Sequence, residues 1–406
     1  MLWLLVFADY ADKITVYGAA SAGQFSQAQT HSPRTFPNFG NSYRADRASF
    51  ADPRPPLFAQ RSAIELYFPA QFAGSLAGTF LTSRYARKNQ FLLASIIGAV
   101  LMAAGLLLMN VDSFGVSLFA FGLNGVGIGL TLPAINMTVL ELSPLNTASA
   151  LSFLNFFWGV GAIICKPFVD LSSGGNDILP TTLILCVPML IAASMLYFQP
   201  TRIIETGTDN SGAEDSGTPI WSLPLAWVIA LFNFIHVGFE SGMGGWLTTY
   251  TERVDSTQIG QWVSPTLVYF LLFVIGLVTP LMFRFLNENK MLLLGLFVVL
   301  AGMMTTVTAV SVLTLGIGAA IAGFGTSWIF PTNVARFSKT FGPEASRRAT
   351  PLFICGTLGA ASSTWLIGFV SDRTGDLRSG MYVLVGCIVL LIGVQAVIGT
   401  RRRVEA

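Results

Sequence analysis

A single carboxylate lies inside a long apolar stretch of the sequence. The stretch PLAWVIALFNFIHVGFESGMGGWLTTY (224–250) carries Glu240 and no Lys or Arg. Asn233, His236 and Glu240 follow one another at intervals of three and four residues, so a helix would place them on one face. Trp246 adds a flat ring of the kind on which sugars stack. These residue types and spacings predict a substrate-binding or coupling site for a hydroxylated ligand or a cation.

The polar side chains in the other apolar stretches are mainly amides. Asn155 lies close to Trp158, and the two could supply hydrogen bonds and stacking for a hydroxylated ligand. A pocket of amides and aromatic rings with few charges suits a neutral polyol better than an ion. The alternative is that each amide only joins neighbouring helices by hydrogen bonds. Further candidates are Gln71, Asn124, Asn136 and Asn333.

Glu240 requires a compensating interaction if its helix crosses a membrane. A charge at the centre of a bilayer costs about 2.5–3.5 kcal/mol on insertion scales. Protonation, a sugar hydroxyl or a sodium ion would each offset that cost. In the purely structural alternative, Glu240 hydrogen-bonds to a neighbouring helix and His236 fixes the carboxylate in place.

The elements that hold these residues are predicted to be membrane-spanning helices. Of 406 residues, 53% are hydrophobic and 11% are charged, against about 25% charged in ordinary soluble domains. Apolar stretches of about 20 residues, the length needed to cross a bilayer as a helix, indicate an all-α integral membrane protein with about 11 transmembrane helices. The stretches begin near Leu66, Phe91, Phe114, Thr147, Leu179, Leu223, Trp262, Met291, Leu313, Ala349 and Met381.

The sequence repeats itself after about 200 residues. GVGIGLTLP (125–133) and GFGTSWIFP (323–331) share Gly-x-Gly followed by Pro at the same spacing. Matching landmarks precede and follow both segments, in the same order. Duplicated helical bundles are typical of secondary transporters, so the sequence predicts one bundle at 65–199 and another at 223–400. The polar segment 200–222 would then be the linker between them.

The repeat also predicts a helix that the sequence lacks. The partner of the stretch beginning at Leu223 should lie near 23–50, where the sequence is polar and contains prolines. Two interpretations of segment 1–64 stay open. It is a mistranslated or frameshifted stretch in place of a first helix, which we favour, or the protein is a genuine eleven-helix form.

The basic residues are distributed unevenly between the two predicted membrane faces. Thirteen Lys and Arg residues are counted in loops and tails on the side of the linker, including Arg84, Arg336 and the bases of the C-terminal tail 401–406. Since positively charged loops stay in the cytoplasm, the linker and the C-terminus are predicted to be cytoplasmic. The protein would be a multi-pass protein of the plasma (inner) membrane, with the lipid bilayer as its surroundings.

No sequence pattern indicates a cofactor, a metal site or nucleic-acid binding. The four cysteines lie within apolar stretches without CxxC spacing, which favours packing roles over a metal site. GVGIG lies in a membrane stretch and follows no strand, so it is not a nucleotide-binding fingerprint. The sequence therefore predicts a protein that is not an enzyme.

The stretch GTFLTSRYARK (78–88) resembles a degenerate form of the signature of the major facilitator superfamily. Ser83 stands where that signature has an acid, which puts the gating contact of the acid in doubt. The resemblance implies a major facilitator fold of two helical bundles, with the usual first helix missing here. The residues that match the gating-loop motif are Gly78, Arg84, Arg87 and Lys88.

Three further stretches are similar to one subgroup of that superfamily. GFESGMGGWLTTY (238–250), QFAGSLAGTFL (71–81) and LPAINMTVLEL (132–142) look like helices of the fucose–proton symporters and the related sodium-dependent glucose transporters. The resemblance implies alternating-access transport of a small neutral solute, a monosaccharide, coupled to H⁺ or Na⁺. A drug or metabolite efflux carrier is the competing branch, and a membrane-embedded enzyme or sensor is a third alternative.

Overall fold

The computed structural model of the protein describes residues 66–143, 146–173, 178–198, 219–258, 261, 263–277 and 288–404. The predictions for segment 1–64, and those for the linker as far as residue 218, lie outside the described residues. Within the described ranges, every regular element is helical, which confirms the all-α prediction.

Five helices form the first half. The helices are α1 (Tyr67–Arg87), α2 (Phe91–Leu108), α3 (Phe114–Leu142), α4 (Thr147–Ser172) and α5 (Leu179–Tyr197).

The second half repeats this arrangement about 200 residues later, with α6 preceding the repeated helices. The helices are α6 (Pro224–Val254), α7 (Pro265–Gly276), α8 (Glu288–Thr308), α9 (Val312–Thr326), α10 (Ile329–Phe341), the single turn α11 (Ala345–Arg348), α12 (Thr350–Thr374) and α13 (Leu377–Val404). Short 3₁₀ turns at Ile220–Ser222, Ser256–Gln258 and Gly342–Glu344 connect some of them.

The lengths of the helices agree with the prediction of membrane spans. In the described part of the chain, nine helical runs are long and apolar enough to cross a membrane, one of them the combined run of α9 and α10, Val312–Phe341. Helix α7 is a shorter apolar helix of 12 residues, and α1 has 21 residues and carries Arg84 and Arg87 in its last turn. Each of the eleven predicted stretches thus contains a helix.

Local sequence signals set several helix starts. The Ser264 hydroxyl accepts a hydrogen bond from the Leu267 N–H, and Pro265 occupies the first turn of α7, where its missing N–H costs nothing. Ser311 and Thr314 form a reciprocal capping box at the start of α9. The side-chain oxygen of each residue accepts from the backbone N–H of the other, which satisfies two backbone donors at that end.

Glycines bring pairs of helices within each half into backbone contact. In the first half, a Cβ on Gly74 or Gly78 of α1 would overlap backbone carbonyls of α3. In the second half, a Cβ on Gly359 of α12 would overlap the Phe234 carbonyl of α6. Small residues at helix interfaces allow this close approach in membranes, where dispersion contacts and hydrogen bonds hold helices together.

The two halves meet mainly at one side of the helix assembly, which we call the basic side because α1 ends there with Arg84 and Arg87. A single cluster of buried apolar side chains joins the halves at this side, and we call it the basic-side cluster. It includes Phe91, Leu130, Met137, Leu140 and Leu151 from the first half and Ile220, Val334, Phe337, Leu352 and Phe353 from the second.

The opposite side is packed differently. There, among the described residues, the cluster around Leu106, Phe121 and Cys186 contains side chains of the first half only. Nearer the middle, α4 meets α7, where Trp158 and its neighbours pack against Phe273 and Val274. Apolar side chains thus join the halves both at the basic side and between α4 and α7.

Candidate functional site

Helix α6 carries Asn233, His236 and Glu240 in one row, of which Glu240 is the most exposed. Asn233 and His236 are fully buried, whereas the side chain of Glu240 is 16% exposed. The Asn233 Nδ2 donates to the Leu352 carbonyl of α12 at 2.9 Å. The His236 Nε2 lies 3.4 Å from the Glu240 Oε1. The row therefore begins at the contact with α12 and ends at the most accessible of the three groups.

Beside this row, Arg336 of α10 is completely buried. Its Nη1 donates to the Gln395 Oε1 of α13 at 2.7 Å, and its Nη2 donates to the Asn333 Oδ1. Gln395 in turn donates to the Asn289 Oδ1 at 3.1 Å. The guanidinium also lies over the Phe232 ring of α6, 5.0 Å from the ring centroid. One polar network thus joins α6, α8, α10 and α13.

The burial of Arg336 corrects one interpretation made from the sequence. The charge count placed Arg336 among the bases of the loops, but the residue lies inside α10 and is not in a loop. Asn333 and Arg336 stand three residues apart in a mainly apolar stretch, and this helical spacing is the signal that could have identified the pair. Gln395 and Tyr269, which lies within electrostatic range of Glu240, were also missed.

The two candidate tryptophans lie in helix–helix contacts. The Trp246 Nε1 donates to the Thr364 carbonyl of α12 at 3.1 Å, and its ring covers Gly368. Trp158 of α4 packs against Phe270 and Phe273 of α7, with centroid distances of 6.2 and 5.5 Å. Both rings are half-buried.

The candidate amides separate into a first-half group (Gln71, Asn124, Asn136 and Asn155) and a second-half group (Asn233 and Asn333). Gln71 and Asn124 pair with each other in the first half, where the Gln71 Nε2 donates to the Asn124 Oδ1 at 3.1 Å. Asn136 and Asn155 donate to carbonyls of their own helices, those of Leu132 and Leu151 at 2.8 and 2.9 Å. Asn333 belongs to the Arg336 network. The structure does not bring the two groups of amides into direct contact.

Replacing Gln71 by Leu is expected to lower the free energy of unfolding by about 1–3 kcal/mol, the cost of a buried acceptor left unsatisfied. The acceptor is the Asn124 Oδ1, which is buried with its residue. Denaturant titration in mixed micelles measures the change. Adding Asn124→Leu should restore most of the loss, and an additive second loss would contradict the pairing.

The gating-loop motif lies at the basic end of α1. Gly78 packs against the Val126 backbone of α3, whereas Arg84, Arg87 and Lys88 are exposed. Among the described residues, none of these three bases forms an ion pair. Ser83, which replaces the acid of the motif, donates to the Phe80 carbonyl of its own helix at 2.6 Å.

A different acid provides the electrostatic contact between the halves. Glu141, at the end of α3, is attracted by Arg347 of α11. With its amide nitrogen facing Glu141, Asn89 donates to both carboxylate oxygens at 3.0 and 3.2 Å. Glu141 is thus held by the first half and attracts the second half at the basic side.

Replacing Glu141 by Arg is expected to open the basic side, because two positive charges would then face each other across the halves. Spin-label distances between α1 and α12 at their basic ends should lengthen. The double variant Glu141→Arg with Arg347→Glu restores opposite charges and should return the distances to those of the unmodified protein. Equal distances in all three proteins would rule out a role for this contact.

A family model places the chain among known proteins. The model of the Major Facilitator Superfamily matches residues 60–353. No curated protein matches the sequence.

Solved structures share the fold at low sequence identity. The Escherichia coli fucose:proton symporter FucP, as its N162A variant, is 16% identical, with a TM-score of 0.69 over 97% of this chain and 96% of that chain. The proton:xylose symporter XylE, bound to 6-bromo-6-deoxy-D-glucose, is 14% identical, with a TM-score of 0.66 over 82% of this chain and 86% of that chain. The human organic anion transporter MFSD10 is 15% identical, with a TM-score of 0.64 over 82% and 84%.

These identities establish a common fold and leave the substrate open. The family match covers well over half of the chain, and it agrees with the two helical halves and their repeat. The resemblance drawn from the signature stretch is thereby confirmed at the level of the superfamily. The chain belongs to the Major Facilitator Superfamily.

Proposed function

We propose that the protein is a secondary active transporter that moves a small neutral solute, a monosaccharide, across the membrane by alternating access. The observation that carries the proposal is the chemistry of the membrane interior. The polar side chains inside the described helices are mainly amides, aromatic rings lie near them, and Glu240 is the one acid near the middle of a described helix. Neutral hydroxylated ligands are held by such groups through hydrogen bonds and stacking.

Two further observations support this proposal. The structures with the same fold include the fucose:proton symporter FucP and the proton:xylose symporter XylE. The half-buried Asn155 and Trp158 of α4 lie close to the contact with α7, where the two halves meet. A ligand bound there would touch both halves, which alternating access requires.

The proposed orientation places the basic side in the cytoplasm. The excess of Lys and Arg on that side supports this orientation, since positively charged loops are retained in the cytoplasm. The closed basic-side cluster would then shut the cytoplasmic exit, and the site would be reached from outside the cell. The membrane would be the plasma (inner) membrane.

Uptake by the full chain reconstituted in proteoliposomes tests the proposal. Radiolabelled L-fucose, D-xylose and D-glucose are offered separately, with an organic anion such as p-aminohippurate in parallel. We expect saturable uptake of at least one sugar and none of the anion. Saturable uptake of the anion alone, or no uptake by protein that is folded and monodisperse, would overturn the assignment.

Substitution of Asn155 tests the location of the site. Replacing Asn155 by Ala removes a side chain that the proposal places against the sugar, and one lost hydrogen bond weakens binding by about threefold to tenfold. The apparent affinity in the uptake assay should fall by that factor. Thr308→Ala is the matched control, because Thr308 is exposed and hydrogen-bonds to the Met304 carbonyl of its own helix. Equal effects of the two substitutions would move the site away from α4.

A further inference from the structure

His236 is a buried imidazole with unused hydrogen-bonding capacity. The side chain is completely buried, and neither ring nitrogen has a hydrogen-bond partner among the described residues. A buried polar group in this state is costly, by about 1–3 kcal/mol. The nearest charged group is Glu240, whose Oε1 lies 3.4 Å from the Nε2. A proton shared between these two atoms would satisfy both groups.

The titratable groups nearest to the pair do not include a second acid. The helices packed against α6 carry few titratable groups. The nearest to Glu240 is Tyr269 of α7. Arg336 of α10 lies over the Phe232 ring, and the centroid of that ring is 6.4 Å from the centroid of the His236 ring. Helix α9 has no titratable group. The others in the described parts of these helices are Cys355, Asp372 and Arg373 on α12, Lys339 on α10, and Arg378, Tyr382 and Cys387 on α13.

The charge of the pair changes with one proton. Neutral His236 beside ionised Glu240 has a net charge of −1, and the pair becomes neutral overall once a proton is bound to either the imidazole or the carboxylate. In apolar surroundings a net charge is far more costly than a neutral or internally paired state. Binding of one proton therefore removes the net charge of the pair and stabilises this part of α6.

The two members differ in access. Glu240 is partly exposed and His236 is completely buried, so the carboxylate is the more accessible member of the pair. One turn before His236, Asn233 of the same row donates to the Leu352 carbonyl of α12, and α12 also packs against α1 of the first half. A change of charge at the pair thus occurs next to the helix that joins the halves.

We propose that His236 and Glu240 together form the proton-coupling site of the transporter. The pair accepts one proton from water on one side of the membrane, forming an N–H or O–H bond, and returns it to water on the other side after the sugar has crossed. This inference rests on the proposed transport of a sugar. An imidazole and a single carboxylate suit a proton better than Na⁺, a hard cation that prefers several oxygen ligands.

A pH gradient across proteoliposomes tests the coupling. Coupling of one proton to each sugar allows a gradient of about one pH unit to support about tenfold accumulation. Glu240→Gln should reduce accumulation to the equilibrium level, whereas exchange of labelled for unlabelled sugar continues. His236→Gln, which removes the other member of the pair, should do the same. Asp112→Asn is the control, because Asp112 is an exposed acid in the connection between α2 and α3. Accumulation by Glu240→Gln equal to that of the unmodified protein would overturn the proposal.

Infrared difference spectroscopy of the solubilised protein gives a readout that needs no substrate. A pH-difference spectrum should contain a carboxylic-acid band that is lost in Glu240→Gln and kept in Asp112→Asn. If no sugar is transported but this band follows Glu240, the transport proposal fails and the proton site stands. If sugar accumulates but neither the band nor the accumulation depends on Glu240, the proton site fails and the transport proposal stands. If either variant does not fold, the other decides the result.

Discussion

Replacing Arg336 by Met will lower the free energy of unfolding by about 3 kcal/mol, because two buried acceptors lose their donor and each unsatisfied acceptor costs about 1–3 kcal/mol. The acceptors are the Asn333 Oδ1 and the Gln395 Oε1. Met is close to Arg in length, so the substitution leaves little empty space. Denaturant titration in mixed micelles, followed by intrinsic fluorescence, measures the loss.

Two comparisons isolate the cause. Arg253→Met removes an exposed Arg near the end of α6, and it should change the free energy of unfolding by less than about 0.5 kcal/mol. Asn333→Leu should cost less in the Arg336→Met protein than on its own, because the hydrogen bond between the two residues is then already lost. If Arg336→Met is as stable as Arg253→Met, the network does not hold α10 and α13 together.

Replacing Gly359 by Leu will prevent α6 and α12 from packing. A Cβ at Gly359 would overlap the Phe234 carbonyl oxygen, and it would lie 2.7 Å from the carbonyl carbon and 3.0 Å from the Cα of Phe234. Backbone atoms cannot turn aside as a flexible side chain can, so the helices must separate. Overpacking of a core costs about 1–3 kcal/mol when only side chains must move, and this substitution should exceed that range. We expect little monodisperse protein in size-exclusion chromatography.

Gly386 provides the matched control for Gly359. A Cβ on Gly386 of α13 would meet nothing within 4 Å, so Gly386→Leu changes only the surface of the helix. Gly is less favourable than Ala inside a helix by about 1 kcal/mol, so replacing Gly386 should slightly stabilise α13. Comparable losses of monodisperse protein in the two variants would show that the contact between α6 and α12 is not the cause.

The sequence was sufficient to predict the helices and their repetition. Apolar length is a local property, so each predicted stretch, from Leu66 to Met381, contains a helix. The repeat was visible because the same glycines and prolines recur with the same spacing, as in 125–133 and 323–331. In the structure these glycines lie where two helices touch, and a larger side chain would overlap the neighbouring helix.

The partners of the polar side chains were not predictable in the same way. Helical spacing put Asn233, His236 and Glu240 in one row, but it did not indicate that Asn233 bonds to a carbonyl of α12. Trp246 is a candidate surface for a sugar, but the sequence did not indicate that its N–H bonds to the Thr364 carbonyl. Arg336 was counted as a loop base because its burial depends on Gln395, 59 residues further along the chain. Such contacts are set by tertiary packing, which periodicity within one helix does not report.

The glycine contacts make each half stiffer than the boundary between the halves. Where α1 meets α3, and where α6 meets α12, backbone lies against backbone, and small displacements meet steep repulsion. Between α4 and α7 the contact consists of aromatic and aliphatic side chains, Trp158 and Phe273 among them, and side chains can change rotamer at modest cost. Relative motion of the helices is therefore expected mainly at the boundary between the halves. A covalent cross-link between α1 and α3 should leave the proposed transport cycle intact, whereas a cross-link between α4 and α7 should arrest that cycle.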